Sequence, residues 1–171
     1  KSKIDYRTTK LKNDDFFFEG LQNKIKRKQN SLIKKYAITS IPRKINFKRS
    51  GNIFSLENYY GNILDLDFRY FFNKNLVFKD YEMVSKKVKI FILRNLTKEN
   101  LHNEKFMARF VFFIDVLYEN KNILSLSSEM DLDKIKLRNV NSFDFKRTIS
   151  RLKEMRSGEY IKDNLKLVFK R

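Results

Sequence analysis

The chain has 171 residues, 42% of them hydrophobic, which suits one domain with its own core, or one domain with an extension. It has no Cys and a single histidine, His102, which excludes disulfides, thiolate metal sites and a histidine cluster. No apolar run approaches the roughly 18 residues that a membrane-spanning helix needs. Because the chain begins at Lys1 rather than Met, we expect a processed product, a fragment or an incompletely assigned N-terminus.

The net charge is strongly basic. The chain carries 38 Lys and Arg residues against 20 Asp and Glu, a formal charge of +18. Such an excess favours a polyanionic partner, either nucleic acid or an anionic membrane surface. The alternative is a solvated basic surface, because a sequence rich in Lys, Asn, Ile and Phe is also typical of AT-rich genomes.

Hydrophobic spacing and turn residues predict an alternation of short strands and helices. The first predicted elements are a hairpin or two extended pieces over 3–18, a helix over 21–36, and strands over 43–48 and 52–54 joined by the turn Ser50-Gly51. A short helix from Ser55 and an insertion over 61–79 follow. The remaining elements are a helix over 81–87, a strand over 88–93, a long helix capped by Thr97 and ending near Glu119, a strand over 123–127, and a last long helix capped by Ser142.

The most regular part of the chain, residues 98–156, has the order helix, strand, loop, helix. This order predicts an α/β fold. We therefore expect three parts: a basic strand-and-helix elaboration over 1–60, the insertion over 61–79, and an α/β part over 80–171.

Three stretches carry the most specific patterns. They are Asp5-Tyr6-Arg7; then Ala108-Arg109-Phe110-Val111 through Ile114-Asp115-Val116-Leu117-Tyr118 to Leu124-Ser125-Leu126-Ser127-Ser128-Glu129; and Phe143-Asp144-Phe145-Lys146-Arg147-Thr148-Ile149-Ser150-Arg151-Leu152-Lys153-Glu154-Met155, followed by Ser157 and Tyr160. Together these stretches resemble the ZapE family, which comprises bacterial cell-division AAA+ ATPases and their mitochondrial relatives. The resemblance spans nearly the whole chain; one departure is Ser128, where the family usually has Ala. It implies the C-terminal portion of a P-loop AAA+ type core, an α+β N-terminal elaboration, and a mitochondrial location.

The nucleotide-binding motifs of that family do not occur in the 171 residues. There is no G-x-x-x-x-G-K-[ST], and no hydrophobic strand ends in Asp-Glu. Phosphoryl transfer depends on that phosphate cradle and on the Mg²⁺ that such a strand end holds. We therefore expect that this chain cannot hydrolyse ATP by itself, and we predict no catalytic residue, no metal and no cofactor.

Two arginines of the third stretch are candidates for sensing nucleotide. In AAA+ proteins an arginine of this region commonly reaches the γ-phosphate, so the resemblance implies this role for Arg147 or Arg151. They are four residues apart and therefore share one face of a helix. The alternative is that both form surface ion pairs, for instance with Glu154. Asp115 is expected to cap a strand or to pair with Arg109.

A second candidate site is electrostatic. Residues 20–56 contain no acid, so their basic side chains can follow a phosphate backbone, with an affinity that falls steeply with salt. Tyr36 and Phe47 can stack on bases, although core packing is the alternative for Phe47. The nucleic-acid-binding candidates are Lys24, Lys26, Arg27, Lys28, Lys34, Lys35, Arg43, Lys44, Lys48 and Arg49.

These observations favour a non-catalytic, repurposed ATPase remnant. It would serve as a basic, RNA-contacting subunit of a large mitochondrial assembly, such as the mitochondrial ribosome with its rRNA and ribosomal proteins. One alternative is a fragment or separately encoded half of a working ATPase, whose P-loop lies on a partner chain. Another is a structural subunit of a membrane-associated mitochondrial complex, with the basic surface against anionic lipid.

Overall fold

The computed structural model describes residues 16–134 and 142–169, and only the backbone of residues 133, 142 and 143. A six-stranded sheet forms its centre. The strands are β1 Phe17–Glu19, β2 Arg43–Arg49, β3 Asn52–Tyr59, β4 Ile63–Asp67, β5 Ile90–Leu96 and β6 Ile123–Ser128. Their order is β1-β6-β5-β4-β3-β2. The first four in this order are parallel, and β3 and β2 continue the sheet antiparallel.

Helices cover both faces of the sheet. They are α1 Asn23–Tyr36, α2 Phe68–Asn73, α3 Phe78–Lys87, α4 Lys98–His102, α5 Glu104–Glu119, α6 Ser142–Met155 and α7 Gly158–Phe169. A short 3-10 turn, Leu132–Lys134, follows β6. One face packs against α2, α3 and α5, with α6 lying on α5; we call it the α3/α5 face. The other packs against α1 and α7; we call it the α1/α7 face.

The strands divide their side chains between these two cores with period two. In β5, for example, Phe91 and Leu93 face the α3/α5 core, whereas Ile90 and Ile92 face the α1/α7 core. Burial on both sides explains the apolar run Ile90–Leu93 of β5, and in β6 the buried polar residues are small serines. The α3/α5 core is largely aromatic, with ring centroids 4.6–6.4 Å apart; its rings include Phe68, Phe71, Phe72, Tyr81, Phe91, Phe110 and Phe113.

The predicted α/β class is confirmed, and several elements lie close to their predicted positions. They are α1, β2, α3, β5 and β6, together with the Ser50-Gly51 turn. At that turn φ is 43° at Ser50 and 86° at Gly51, the two positive values that a two-residue hairpin of the common mirror-image type requires. Thr97 caps a helix as expected, because its side chain accepts a hydrogen bond from the Asn100 N–H at 3.2 Å.

Three expectations were wrong. The helix predicted from Ser55 is strand, because residues 52–59 all belong to β3. The long helix predicted after Thr97 is two helices, because Asn103 ends α4 and caps α5 by accepting from the Phe106 N–H. The last helix is likewise followed by a further one, α7.

Residues 61–79, expected to be an insertion, contain β4 and α2. β4 is an interior strand, paired in parallel with β5 over its whole length, and α2 buries three phenylalanines in the core. The sheet therefore runs without interruption across the predicted boundaries at 60/61 and 79/80. The predicted hairpin over 3–18 falls mostly outside the described residues; its end, Phe17–Glu19, is extended and pairs with β6.

Candidate functional site

The two candidate sensing arginines meet at one carboxylate. Asp115, on α5, accepts from the Arg147 Nη2 at 2.8 Å and from the Arg151 Nη1, both on α6. The Arg151 Nη2 also lies 3.3 Å from the Glu119 Oε1, and the Arg147 Nη1 lies 3.4 Å from the Asp144 Oδ1. A spacing of four residues on α6 brings both guanidinium groups to the same side, where a single acid on α5 holds them. We call this cluster the Asp115 knot.

Other polar residues of the same two sequence stretches surround the knot. The Tyr118 hydroxyl donates to Glu154 at 2.7 Å, and the Arg151 guanidinium lies 5.1 Å from the Tyr118 ring centroid. The hydrogen bond to the Glu154 carboxylate raises the pKa of Tyr118 above its ordinary value. Tyr160 stacks on Tyr118 at 6.3 Å and donates to the Asn122 carbonyl at 3.1 Å. The second and third of the three sequence stretches thus contact chiefly each other, and these contacts hold α6 and α7 against α5.

The structure gives Asp115 and Arg109 different partners from those expected. Asp115 pairs with the α6 arginines and not with Arg109. Arg109 donates instead to the carbonyls of Phe72 and Lys74, at 2.7 and 2.8 Å, just where α2 ends. It therefore satisfies carbonyl groups that the end of a helix leaves without partners. Sequence spacing does not reveal these contacts, since the partners are more than 30 residues apart.

The predicted basic surface is best formed on α1. All six of its basic candidates are exposed, and in the described part of the chain none of them forms an ion pair. The ammonium groups of Lys28 and Lys35 lie 5.5 and 5.0 Å from the ring centroids of Phe18 and Tyr36. The other four candidates have no such ring, so their charges face solvent; they are Lys24, Lys26, Arg27 and Lys34.

A buried polar network fixes α1 on the sheet. Arg94, on β5, is 9% exposed and donates to both oxygens of Asp65, at 2.6 and 3.0 Å. The same guanidinium donates to Asn30 at 2.7 Å and to Gln29 at 3.3 Å, both on α1. Gln29 in turn donates to the Ser125 hydroxyl at 3.3 Å. The buried side of α1 is therefore held by hydrogen bonds as well as by apolar contacts, and its charged side is directed away from the sheet.

The four basic candidates of β2 are arranged differently. Arg49 pairs with the buried Asp80, and Lys44 lies 3.0 Å from Glu57, so these two charges are engaged. Arg43 and Lys48 are exposed. The basic candidates therefore lie on two elements: α1, which covers one face of the sheet, and β2, the last strand at one side of it. Residues 37–42 join the two.

The two aromatic candidates for base stacking are buried. Tyr36 packs against Phe16 in the α1/α7 core, with ring centroids 6.2 Å apart. Phe47 stacks on Phe54 at 5.1 Å within the β2–β3 hairpin. Core packing, and not base stacking, is therefore the role that the structure gives both rings.

A cavity of about 320 Å³ opens at the carboxyl ends of β1 and β6. Ligands in α/β folds commonly bind at such a position, where the following helices leave toward opposite faces of the sheet. The walls include apolar side chains, such as Phe17 and Leu126, and charged residues of both signs, such as Lys28 and Glu19. This mixed lining does not select for an anion.

Neither a metal centre nor a membrane span is evident in residues 16–134 and 142–169. No group of three or more His, Asp or Glu side chains in these ranges is arranged to hold a metal ion. Within the same ranges, none of the helices has the length and apolar character needed to cross a bilayer. His102 is exposed, with its Nδ1 2.7 Å from the Lys98 carbonyl oxygen.

Comparison with known proteins identifies the family. No solved structure matches the chain. A family model described as AFG1-like ATPase matches residues 1–164, and this match includes all three motif stretches. It confirms the resemblance to the ZapE-type AAA+ ATPases: the chain belongs to the AFG1-like ATPase family.

Proposed function

We propose that this chain is a non-catalytic, repurposed member of its family, which acts as a basic structural subunit of a large mitochondrial assembly. In this proposal the chain contacts RNA directly. The mitochondrial ribosome is the assembly that we put forward, with ribosomal RNA and ribosomal proteins as its partners.

The observation that carries the proposal is the unpaired basic surface of α1. Six exposed Lys and Arg side chains lie on one 14-residue helix, and no acid of the described residues neutralises them. A helix of this length is about 20 Å long, so it can follow several successive phosphates. Arg94 and Gln29 hold this helix firmly on the sheet, which limits the conformational entropy that binding would cost.

The absence of catalysis is the second part of the proposal. The sequence has neither the G-x-x-x-x-G-K-[ST] motif nor a strand ending in Asp-Glu. The arginines that could sense a nucleotide are held by Asp115. Any role of Arg147 and Arg151 at a phosphate would first require breaking this pairing, which costs free energy.

A second candidate function follows from the family itself. A member of an ATPase family can supply arginines to a P-loop on a companion chain, and Arg147 and Arg151 are the candidates for that role. The test is a reconstituted enzyme carrying either Arg151→Ala or Asp115→Asn, because both substitutions break the same ion pair. Sensing by Arg151 predicts a large loss of turnover in the first variant only. Equal losses would assign the arginine to the Asp115 knot.

The proposed function is tested most simply on the native particle. We expect a tagged chain to co-purify with ribosomal RNA and ribosomal proteins in stoichiometric amounts, and to co-sediment with them on gradients. A companion chain that bears a P-loop, in a particle without RNA, would contradict the proposal and favour the second candidate function.

A further inference from the structure

The loop between α1 and β2, residues 37–42, exposes two large aliphatic side chains. Ile38 is 74% exposed and Ile41 is 69% exposed, which places them among the most exposed large apolar residues of the described chain. Single exposed apolar residues are common on protein surfaces. Two on one short loop call for an explanation, because each gives up the stabilisation that burial would bring.

The backbone of this loop is pinned. The N–H of Ile38 donates to the Asn62 Oδ1 at 3.0 Å, and the buried Asn62 donates its Nδ2 to the Tyr36 carbonyl at 2.9 Å. The N–H of Ile38 also reaches the Tyr60 carbonyl, at 3.2 Å. Gly61, with φ +85°, lies so close that a Cβ there would come within 2.9 Å of the Ile38 Cβ. The backbone at Ile38 is therefore held in place by residues 60–62.

Basic residues border the loop on both sides. Lys34 and Lys35 form the last turn of α1, and Arg43 and Lys44 begin β2. All four are exposed, and only Lys44 has an acidic partner among the described residues, Glu57. The loop thus carries two exposed aliphatic side chains between two exposed basic segments of the chain.

We propose that this loop is a contact site for an anionic lipid bilayer. Ile38 and Ile41 enter the boundary between headgroups and acyl chains, while Lys34, Lys35 and Arg43 lie at the level of the lipid phosphates. An aliphatic tip bordered by Lys and Arg matches a surface that is negative outside and apolar just beneath. A phosphate backbone alone would give the isoleucines no partner. Protein hot spots are richer in Trp, Tyr and Arg than in branched aliphatics. The inference does not depend on the proposed function, because it rests on Ile38 and Ile41, although it shares Lys34, Lys35 and Arg43 with the RNA-binding candidates.

Fluorescence tests the insertion directly. The chain contains no Trp, so Ile41→Trp introduces a single reporter at the tip of the loop. With vesicles of phosphatidylcholine and phosphatidylserine we expect a blue shift of its emission, and with phosphatidylcholine alone a much smaller one. Ile53→Trp is the matched control, because Ile53 is equally exposed but lies beside the distant hairpin turn. An unshifted emission spectrum of the Ile41→Trp variant with bound vesicles, or equal shifts in both variants, would overturn the proposal.

Binding affinity supplies the second test. The double substitution Ile38→Ser with Ile41→Ser should weaken flotation with the anionic vesicles at least about tenfold, since both aliphatic side chains then stay in water. The control pair, Ile53→Ser with Val77→Ser, removes two exposed aliphatic side chains elsewhere and should bind as the unaltered chain does. Unchanged affinity of the loop variant overturns the proposal. RNA binding of the loop variant should stay intact, because every basic residue remains.

Discussion

Asp115 joins two helices through two arginines at once. Its side chain is 18% exposed, and among the described residues it is the acid that pairs with both Arg147 and Arg151. The Arg147 Nε is buried and has no hydrogen-bond partner among the described residues, so this guanidinium depends on its Nη contacts, the shorter to Asp115 at 2.8 Å and the longer to Asp144 at 3.4 Å. At the scale of single residues, the family motif therefore acts as a clamp between α5 and α6.

Asp115→Ala should lower the free energy of unfolding by about 2 kcal/mol, because Arg147 and Arg151 then lose the acid they share and keep only the longer contacts to Asp144 and Glu119. Glu119→Ala is the control: Glu119 is exposed and 3.3 Å from Arg151, so its loss should cost less than about 1 kcal/mol. Chemical denaturation measures both values. Similar small losses in the two variants would contradict the clamp.

Two buried tyrosines give a matched pair of predictions. The Tyr81 hydroxyl is buried and has no hydrogen-bond partner in the described structure, whereas the Tyr160 hydroxyl donates to the Asn122 carbonyl. Tyr81→Phe should therefore raise the free energy of unfolding by about 1 kcal/mol, and Tyr160→Phe should lower it by about the same amount. Equal destabilisation in both variants would contradict this assignment of hydrogen bonds.

The Tyr81→Phe substitution should also change how the free energy of unfolding depends on alkaline pH. Burial raises the pKa of Tyr81 from 10.0 to about 12. The folded state then holds this proton more tightly than the unfolded chain does, so the free energy of unfolding falls as the pH rises from 10 through about 12. Tyr81→Phe should make that decline shallower, which denaturant titrations at a series of alkaline pH values would measure. An unchanged slope would contradict the assignment.

At the scale of elements, α1 depends on Arg94. Its guanidinium reaches Asp65 on β4 and two residues of α1. Arg94→Met should lower the free energy of unfolding by about 3 kcal/mol, because Asp65 then loses its counter-charge. It should also reduce hydrogen-exchange protection across α1 more than across α5. The double variant Arg94→Met with Asp65→Leu should recover most of the stability without restoring the protection of α1. Full protection in the single variant would show that apolar contacts alone hold the helix.

The sequence predicted best those elements whose pattern depends only on their own burial. β5 is buried on both faces and begins with an apolar run, and α5 shows its core stripe directly. β4 was not predicted, because two of its five residues are aspartates. One of them, Asp65, accepts hydrogen bonds from Arg94, which is 29 residues away in sequence. The short helix predicted from Ser55 does not form, and the alternation around this residue, with Leu56 buried and Glu57 exposed, has the period of a strand.

The candidate site was predicted only in part. The acid-free stretch correctly indicated that α1 has an exposed basic side, because charge and helical spacing are local properties. The pairing of Arg147 and Arg151 with Asp115 depends on how α5 and α6 pack, and separations of 32 and 36 residues hide it from the sequence. The exposure of Ile38 and Ile41 is equally non-local, since Asn62 fixes their loop.

At the scale of the whole molecule, charge and stability are divided between different surfaces. The α3/α5 face carries the aromatic core and the Asp115 knot lies beside it, whereas the unpaired charges of α1 lie on the other side of the sheet. The six exposed basic residues of α1 thus lie on a helix that Arg94 and Gln29 hold against the sheet. This division is what a protein needs if its role is to present a basic surface within an assembly.

The dependence of RNA affinity on salt tests this account most directly. Removing three charges with Lys24→Gln, Arg27→Gln and Lys34→Gln should weaken single-stranded RNA binding and reduce the slope of log affinity against log salt by about 2, since each phosphate contact contributes about 0.7. The control removes three exposed lysines from the α3/α5 face, by Lys79→Gln, Lys86→Gln and Lys105→Gln, and should leave the slope nearly unchanged. Equal changes in both variants, or no salt-dependent binding by the unaltered chain, would contradict the proposal that α1 is the surface on which this protein binds RNA.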